Sequence, residues 1–110
     1  NYKEKITALS SATTIAVDCS LGTVFTSTLS HNANFVLSNL NSGESVVFII
    51  TQDSDSTYNT ASFYAADSTA VKFPTAQSVS LTQANGAIDM VVIFNDGTNL
   101  LGTINNNFGG

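Results

Sequence analysis

The chain is poor in the residues that carry most catalytic and nucleic-acid chemistry. Its 110 residues include one Cys, one His, one Pro, no Trp and no Arg, and three Lys stand against eight acidic residues. A net charge of −5 with so few cations disfavours binding to the phosphate backbone of nucleic acids. No apolar run reaches the roughly 20 residues of a membrane-spanning helix. We therefore expect neither a nucleic-acid partner nor membrane insertion.

The single cysteine and the single histidine limit the sites that the chain can form. Cys19 has no partner for an internal disulfide, and it aligns with Ile15 and Val17, so we expect a small buried side chain. One Cys and one His cannot supply a closed zinc site. No Gly-x-Ser-x-Gly motif accompanies His31, which we expect to be a solvated turn residue. These shortages predict a protein without enzyme activity, metal or cofactor.

Two carboxylate patterns have structural explanations. Asp53 and Asp55 alternate as at the start of a calcium loop, but the Gly and Glu that such a loop needs further on are absent, which favours a solvated turn. Asp89 lies within a strongly apolar segment and, if buried, requires hydrogen bonds. A turn amide or Lys72 is the candidate partner.

The strongest pattern is an uninterrupted apolar run over residues 46–50, bounded by turn residues on both sides. Alternation places Val46 and Phe48 on one face of a strand and Val47 and Ile49 on the other. Because both faces are apolar, the run predicts a central strand that is covered on both sides.

Residues 87–95 form a second strong predicted strand, in which the apolar face of Ile88, Met90, Val92 and Phe94 alternates with Asp89, Val91 and Ile93. Further strands are predicted at 13–19, 23–29, 35–40, 60–64, 71–73, 78–81 and 99–104, and residues 39–43 are expected to form a hairpin loop. No helical periodicity exceeds two turns. The pattern predicts an all-β fold, an antiparallel β-sandwich or barrel-like (jelly-roll-like) single domain. We expect a linker or short strand at 1–12, the domain at 13–104 and a polar tail at 105–110.

Three segments, 35–53, 71–74 and 87–99, together resemble a β-domain that recurs in bacteriophage tail fibres and related virion appendages. The likeness lies in the Thr-Gln-Asp end of the central strand, an aromatic residue before Pro, and an Asp-Gly-Thr turn. It implies a β-structured virion module, usually part of a homotrimer. Where the family commonly has Trp and an aromatic pair, this chain has Phe73 and Leu100-Leu101, which weighs against direct glycan binding but not against assembly.

The apolar side chains on both faces of the strands exceed what one small sandwich needs inside, and the excess predicts a subunit interface. Its candidate residues are Val47, Ile49, Val91, Ile93 and Leu101. The candidate surface-recognition residues Tyr58, Asn59 and Tyr64 belong to a predicted loop at 54–69; the alternative is that Phe63 is core and the tyrosines only border it. We expect a homotrimer on the phage particle that presents loops to a host glycan or protein. A monomeric carbohydrate-binding module is the alternative.

Overall fold

The computed structural model describes residues 4–74 and 79–109, which form two β-sheets and one short 3-10 turn. The strands are β1 (Ile6–Ala8), β2 (Thr14–Asp18), β3 (Val24–Leu29), β4 (Ala33–Ser38), β5 (Ser45–Gln52), β6 (Ala61–Ala65), β7 (Ile88–Asn95) and β8 (Leu100–Phe108). The 3-10 turn, Cys19–Leu21, connects β2 to β3.

The chain alternates between the two sheets as it advances. Sheet A has the strand order β1-β3-β5-β7-β8, and sheet B has the order β2-β4-β6. From β1 to β6, consecutive strands belong to opposite sheets, so each circuit of the chain adds one strand to each sheet. Neighbouring strands among these six are parallel. Strands β7 and β8 then extend sheet A in antiparallel fashion. The all-β prediction is confirmed, but the expectation of a purely antiparallel arrangement is wrong.

Short connections between the sheets explain the parallel pairing. Strand β3 ends at Leu29 and β4 begins at Ala33, a spacing that suggests a hairpin in the sequence. These few residues instead carry the chain across to the opposite sheet, a distance of about 10 Å. The segment 39–43, expected to be a hairpin loop, also crosses between sheets. Because every connection from β1 to β6 changes sheet, neighbouring strands among these six are a full circuit of the chain apart and run in the same direction.

Stacked phenylalanines fill the space between the sheets. The parallel register pairs Phe25 with Phe48 in sheet A and Phe35 with Phe63 in sheet B. Their ring centroids are 5.8 Å and 4.8 Å apart, respectively. Across the core, the Phe48 ring lies 5.6 Å from Phe35 and 5.1 Å from Phe63. Register and core packing therefore support one another, since slipping one strand would unstack the rings.

Asp89 is buried in this core, and its carboxylate is satisfied by hydrogen bonds. It accepts bonds from the Thr82 amide at 2.6 Å, the Thr82 hydroxyl at 2.8 Å and the Asn107 amide at 2.7 Å. The partners are thus turn and strand amides and not Lys72. Strand β8 continues through most of the expected polar tail, and its Asn107 amide is one of these donors. Residue 110 lies outside the described part of the chain.

The segment 70–73 follows β6, the last of the alternating parallel strands, and contacts one edge of each sheet. Ala70 forms a bridge with Tyr64 of sheet B, and Lys72 forms one with Leu101 of sheet A. The ring of Phe73 lies so close to Gly102 that a Cβ there would be 2.6 Å from it.

Of the strand expected at 78–81, residue 78 lies outside the described residues and 79–81 are not in a strand. In the expected linker, residues 6–8 form β1, and residues 1–3 lie outside the described part.

The ring stack predicts that Phe48 is a principal source of stability. Phe48→Ala should lower the free energy of unfolding by about 3–5 kcal/mol, because it removes a fully buried ring that contacts three others. Leu21→Ala is the matched control, since Leu21 is 58% exposed and its loss should change stability by no more than about 0.5 kcal/mol. Urea denaturation measures both; equal effects would contradict the assignment of the core.

Candidate functional site

The face of sheet A that points away from sheet B, here called the outer face, is rich in large apolar side chains. It also carries the uncharged polar residues Thr26, Thr28, Ser45, Thr51, Thr103 and Asn105. Strand alternation and register place ten large apolar side chains on it: Ile6, Val24, Val47, Ile49, Ile88, Met90, Val92, Phe94, Leu101 and Phe108. Phe94 is 41% exposed, and its cross-strand partner Leu101 is 42% exposed. The exposed apolar side chains of the described residues are therefore concentrated on one side of the molecule.

Within the described strands of sheet A, the outer face also carries no charged side chain. The only charged residue within the described strands of sheet A is Asp89, which points into the core. Edge strands and solvent-facing sheets usually carry charges that keep them soluble and unpaired. A sheet face that has apolar side chains and no charge resembles an interface more closely than an ordinary solvated surface.

Of the five predicted interface residues, three lie on the outer face and two lie in the core. Val47 and Ile49 are half-buried on the outer face, and Leu101 is exposed there. Val91 and Ile93 are fully buried in the chain's own core, so the expectation that they are surplus is wrong. The register sets them opposite Phe48 and Val46.

The outer-face side chains of β7 are instead the row that begins at Ile88 and ends at Phe94. In the sequence this row is entirely apolar, whereas the alternate row of β7 contains Asp89. The sequence therefore predicts, incorrectly, that the row from Ile88 to Phe94 is the buried one. Asp89 lies on the opposite row, and only its contacts with Thr82 and Asn107 explain how a carboxylate can face the core.

The predicted recognition residues do not form one surface. Strand β6 occupies the middle of the expected loop 54–69, so Tyr58 precedes the strand and the turn at 66–68 follows it at the opposite end. Tyr58 is 39% exposed, whereas Tyr64 is half-buried in β6. The alternative placement of Phe63 in the core is confirmed.

Asn59 is buried and is engaged within the protein. Its side-chain amide donates to the Leu29 carbonyl at 3.0 Å. Its backbone carbonyl and amide bond the Gln52 side chain at 2.8 Å and 3.0 Å. The expectation that Asn59 is a surface recognition residue is therefore wrong, because its polar groups hold the end of β5 against the following loop.

A polar cleft of about 440 Å³ lies at the end of the molecule where β4, β6 and β7 finish. Its walls are the segments 37–40, 65–72 and 95–100. Leu37, Leu40, Ala65 and Leu100 supply apolar surface, and the polar lining consists of Ser38, Asn39, Asp67, Thr69, Lys72, Asn95, Thr98 and Asn99. None of the three predicted recognition residues contributes to it. The sequence signal for this site is limited to turn residues, which are usually interpreted as structural.

Hydrogen bonds fix the walls of the cleft. The Asn95 side chain donates to the Leu40 carbonyl at 2.7 Å, which joins two walls, and accepts from the Gly97 amide at 2.8 Å. The Asp96 carboxylate accepts the amides of Asn99 at 2.7 Å and Thr98 at 2.8 Å. These two bonds hold the pKa of Asp96 below its ordinary value. The β7–β8 turn is thus held in shape without any ligand.

The charge around the cleft is predominantly negative. Hydrogen bonds from Thr69 lower the pKa of Asp67, so that this carboxylate is ionised at neutral pH. Asp18 accepts the side-chain amide of Asn39 at 2.8 Å, the largest cause of its own lowered pKa. Among the described residues of the lining, Lys72 is the one cation. Within the lining Asp67 and Lys72 balance each other, and Asp96 and Asp18, which are bonded to lining residues, make the surroundings net negative.

The remaining reactive groups lie apart from both features. Cys19 is half-buried, and burial raises the pKa of its thiol to about 11, which keeps it protonated at neutral pH. His31 is exposed, with Nδ1 2.9 Å from the Ser11 hydroxyl. Asp55 accepts the Thr57 amide at 2.8 Å in a local turn. Among the described residues, no three His, Cys, Asp or Glu side chains are grouped to hold a metal ion.

No family model, curated protein or solved structure matches this chain. The resemblance to phage tail-fibre domains therefore stays a hypothesis. The described part of the chain also contains no helix with the length and apolar character needed to cross a membrane.

The lowered pKa of Asp96 predicts an acid-dependent contribution to stability. The folded-state pKa lies below the unfolded one, so the contribution is present above the unfolded pKa of about 3.9 and is lost as the pH falls through the folded value. Asp96→Ala should lower the melting temperature at pH 7, and its difference from the wild type should shrink in acid.

Asp96→Asn is the control for this titration, because the amide oxygen still accepts hydrogen bonds but does not titrate in this range. Its difference from Asp96→Ala should depend little on pH. A wild-type advantage over Asp96→Ala that stays constant down to pH 2 would contradict the assignment.

Proposed function

We propose that this chain is a non-enzymatic structural module of a phage virion fibre or spike, which forms a homotrimer and presents the loops at its ends for attachment to a host surface. The virion assignment derives from the sequence resemblance. The assembly assignment depends on one structural observation, the apolar and uncharged outer face of sheet A.

The dimensions of the outer face suit a threefold arrangement. Five strands at a spacing of about 4.8 Å give a width of about 19 Å, and the central residues of each strand give a length of about 17 Å. Three such faces around a threefold axis would each lie about 5.5 Å from the axis. Packed sheets are about 10 Å apart, so each contributes about 5 Å of side chains. Three outer faces can therefore meet around a common axis, with the apolar side chains of β5 and β7 closest to it.

The area sets the strength expected of this contact. A face of about 300 Å² is smaller than the roughly 800 Å² that each partner contributes to a standard interface. The outer face alone should thus support an assembly that depends on protein concentration, as expected when folding and association are coupled. Trimerisation would also allow weak contacts at the loops to combine through avidity.

A monomeric carbohydrate-binding module is the second candidate, and the polar cleft favours it. Such a module would place its ligand between the turns at 66–68 and 96–98, not at Tyr58 and Tyr64. It predicts the mass of one chain at every concentration, and a melting temperature that rises with added ligand.

Light scattering on the purified chain separates the two candidates. We expect a mass of three chains at high concentration, which decreases on dilution. Phe94→Lys should give the mass of a single chain, because it places a charge within the outer face. Leu21→Lys is the control, since Leu21 is exposed but lies outside sheet A. A single-chain mass for the wild type at all concentrations would contradict the assembly.

A further inference from the structure

We propose that the polar cleft binds a neutral saccharide through vicinal hydroxyl groups. This inference gives a ligand class for the attachment role and depends on that proposed role for its biological meaning. The cleft itself is formed within a single chain, so it can be tested apart from trimerisation. Its volume of about 440 Å³ is within the range of sites that take small ligands.

The lining supplies both kinds of contact that a sugar ring makes. Leu37, Leu40 and Leu100 provide apolar surface for the C–H groups of the ring. Asp67 has a carboxylate that can accept hydroxyl protons in addition to its bond from the Thr69 amide at 3.0 Å. The side chains of Asn99 and Lys72 make no hydrogen bond or ion pair with the described residues, and they can donate to hydroxyl oxygens.

Charge selects a neutral ligand over an anionic one. Asp67 and Asp96 are ionised at neutral pH, and Asp18 adds a third carboxylate beside Asn39. Lys72 supplies one opposing charge. A sialic acid or a phosphate would therefore meet net repulsion, whereas a neutral polyol uses both the carboxylate and the ammonium without bringing a charge of its own.

Hydrogen bonds hold the cleft in shape, and its described lining has no aromatic ring. Turn hydrogen bonds from Asn95 and Asp96 hold its walls, so little ordering is required on binding. The described residues of the lining include no aromatic ring of the kind that commonly stacks on sugars. We expect weak binding, with a Kd on the order of 1 mM, which is useful only when several copies bind together.

Two-dimensional NMR of the labelled chain tests this proposal. The probes are glucose, galactose, mannose and N-acetylglucosamine, with N-acetylneuraminic acid and inorganic phosphate as anionic comparisons. At least one neutral sugar should shift the amide signals of Gly97, Thr98 and Asn99 in a saturable manner. Shifts confined to the region of Tyr58, stronger binding of the anions, or no shift with any neutral sugar would overturn the proposal.

Variants connect the shifts to the cleft. Asn99→Ala should weaken binding about tenfold, because it removes a donor whose side chain makes no bond within the described protein. Asp67→Asn should weaken it as well, while the amide oxygen preserves the bond from Thr69. Tyr58→Ala should leave affinity unchanged, and equal losses in all three would overturn the assignment. Light scattering on the same samples reports the trimer separately, so sugar binding by a monomer would reject the assembly and retain the cleft.

Discussion

The position of strand β5 in the middle of sheet A constrains the rest of the structure. One face of β5 carries Val46, Phe48 and Ile50 into the core, where the Phe48 ring touches rings from both sheets. The opposite face carries Val47 and Ile49, which the described part of the chain leaves half-buried. The fold therefore buries the side chains on one face of β5 completely and leaves those on the other face partly exposed.

The sequence predicts the strands much better than it predicts their partners. Alternation at Val46–Ile50 and the turn residues that bound it locate β5, and the same reasoning locates β2, β3, β4, β6, β7 and β8 to within a few residues. Pairing is not recoverable in this way, because the three residues between Leu29 and Ala33 suit both a hairpin and a crossing between sheets. The spacing between successive strands of the same sheet also differs along the chain, so the sequence shows no regular repeat that would indicate alternation between two sheets.

The candidate sites show the same limit. The outer face was partly foreseeable, since the apolar residues of β5 require cover on both sides, but the choice between the two rows of β7 depends on a buried carboxylate. Asp89 faces inward only because Thr82, from the preceding loop, and Asn107, from the far end of β8, donate to it. The cleft could not be predicted, because it brings together turns from three parts of the chain. Asn59 suggests recognition in the sequence, but it is bonded to Leu29 and Gln52 in the fold.

The central claim is that another copy of the chain covers the outer face of sheet A. The most direct test measures the relaxation that a soluble paramagnetic agent causes in the methyl signals of Ile49, Met90 and Val92 at high protein concentration. We expect these methyl groups to be as protected as those of the buried Val46 and Ile93. Relaxation that matches the exposure of these side chains in a single chain, unchanged by dilution, would contradict the account.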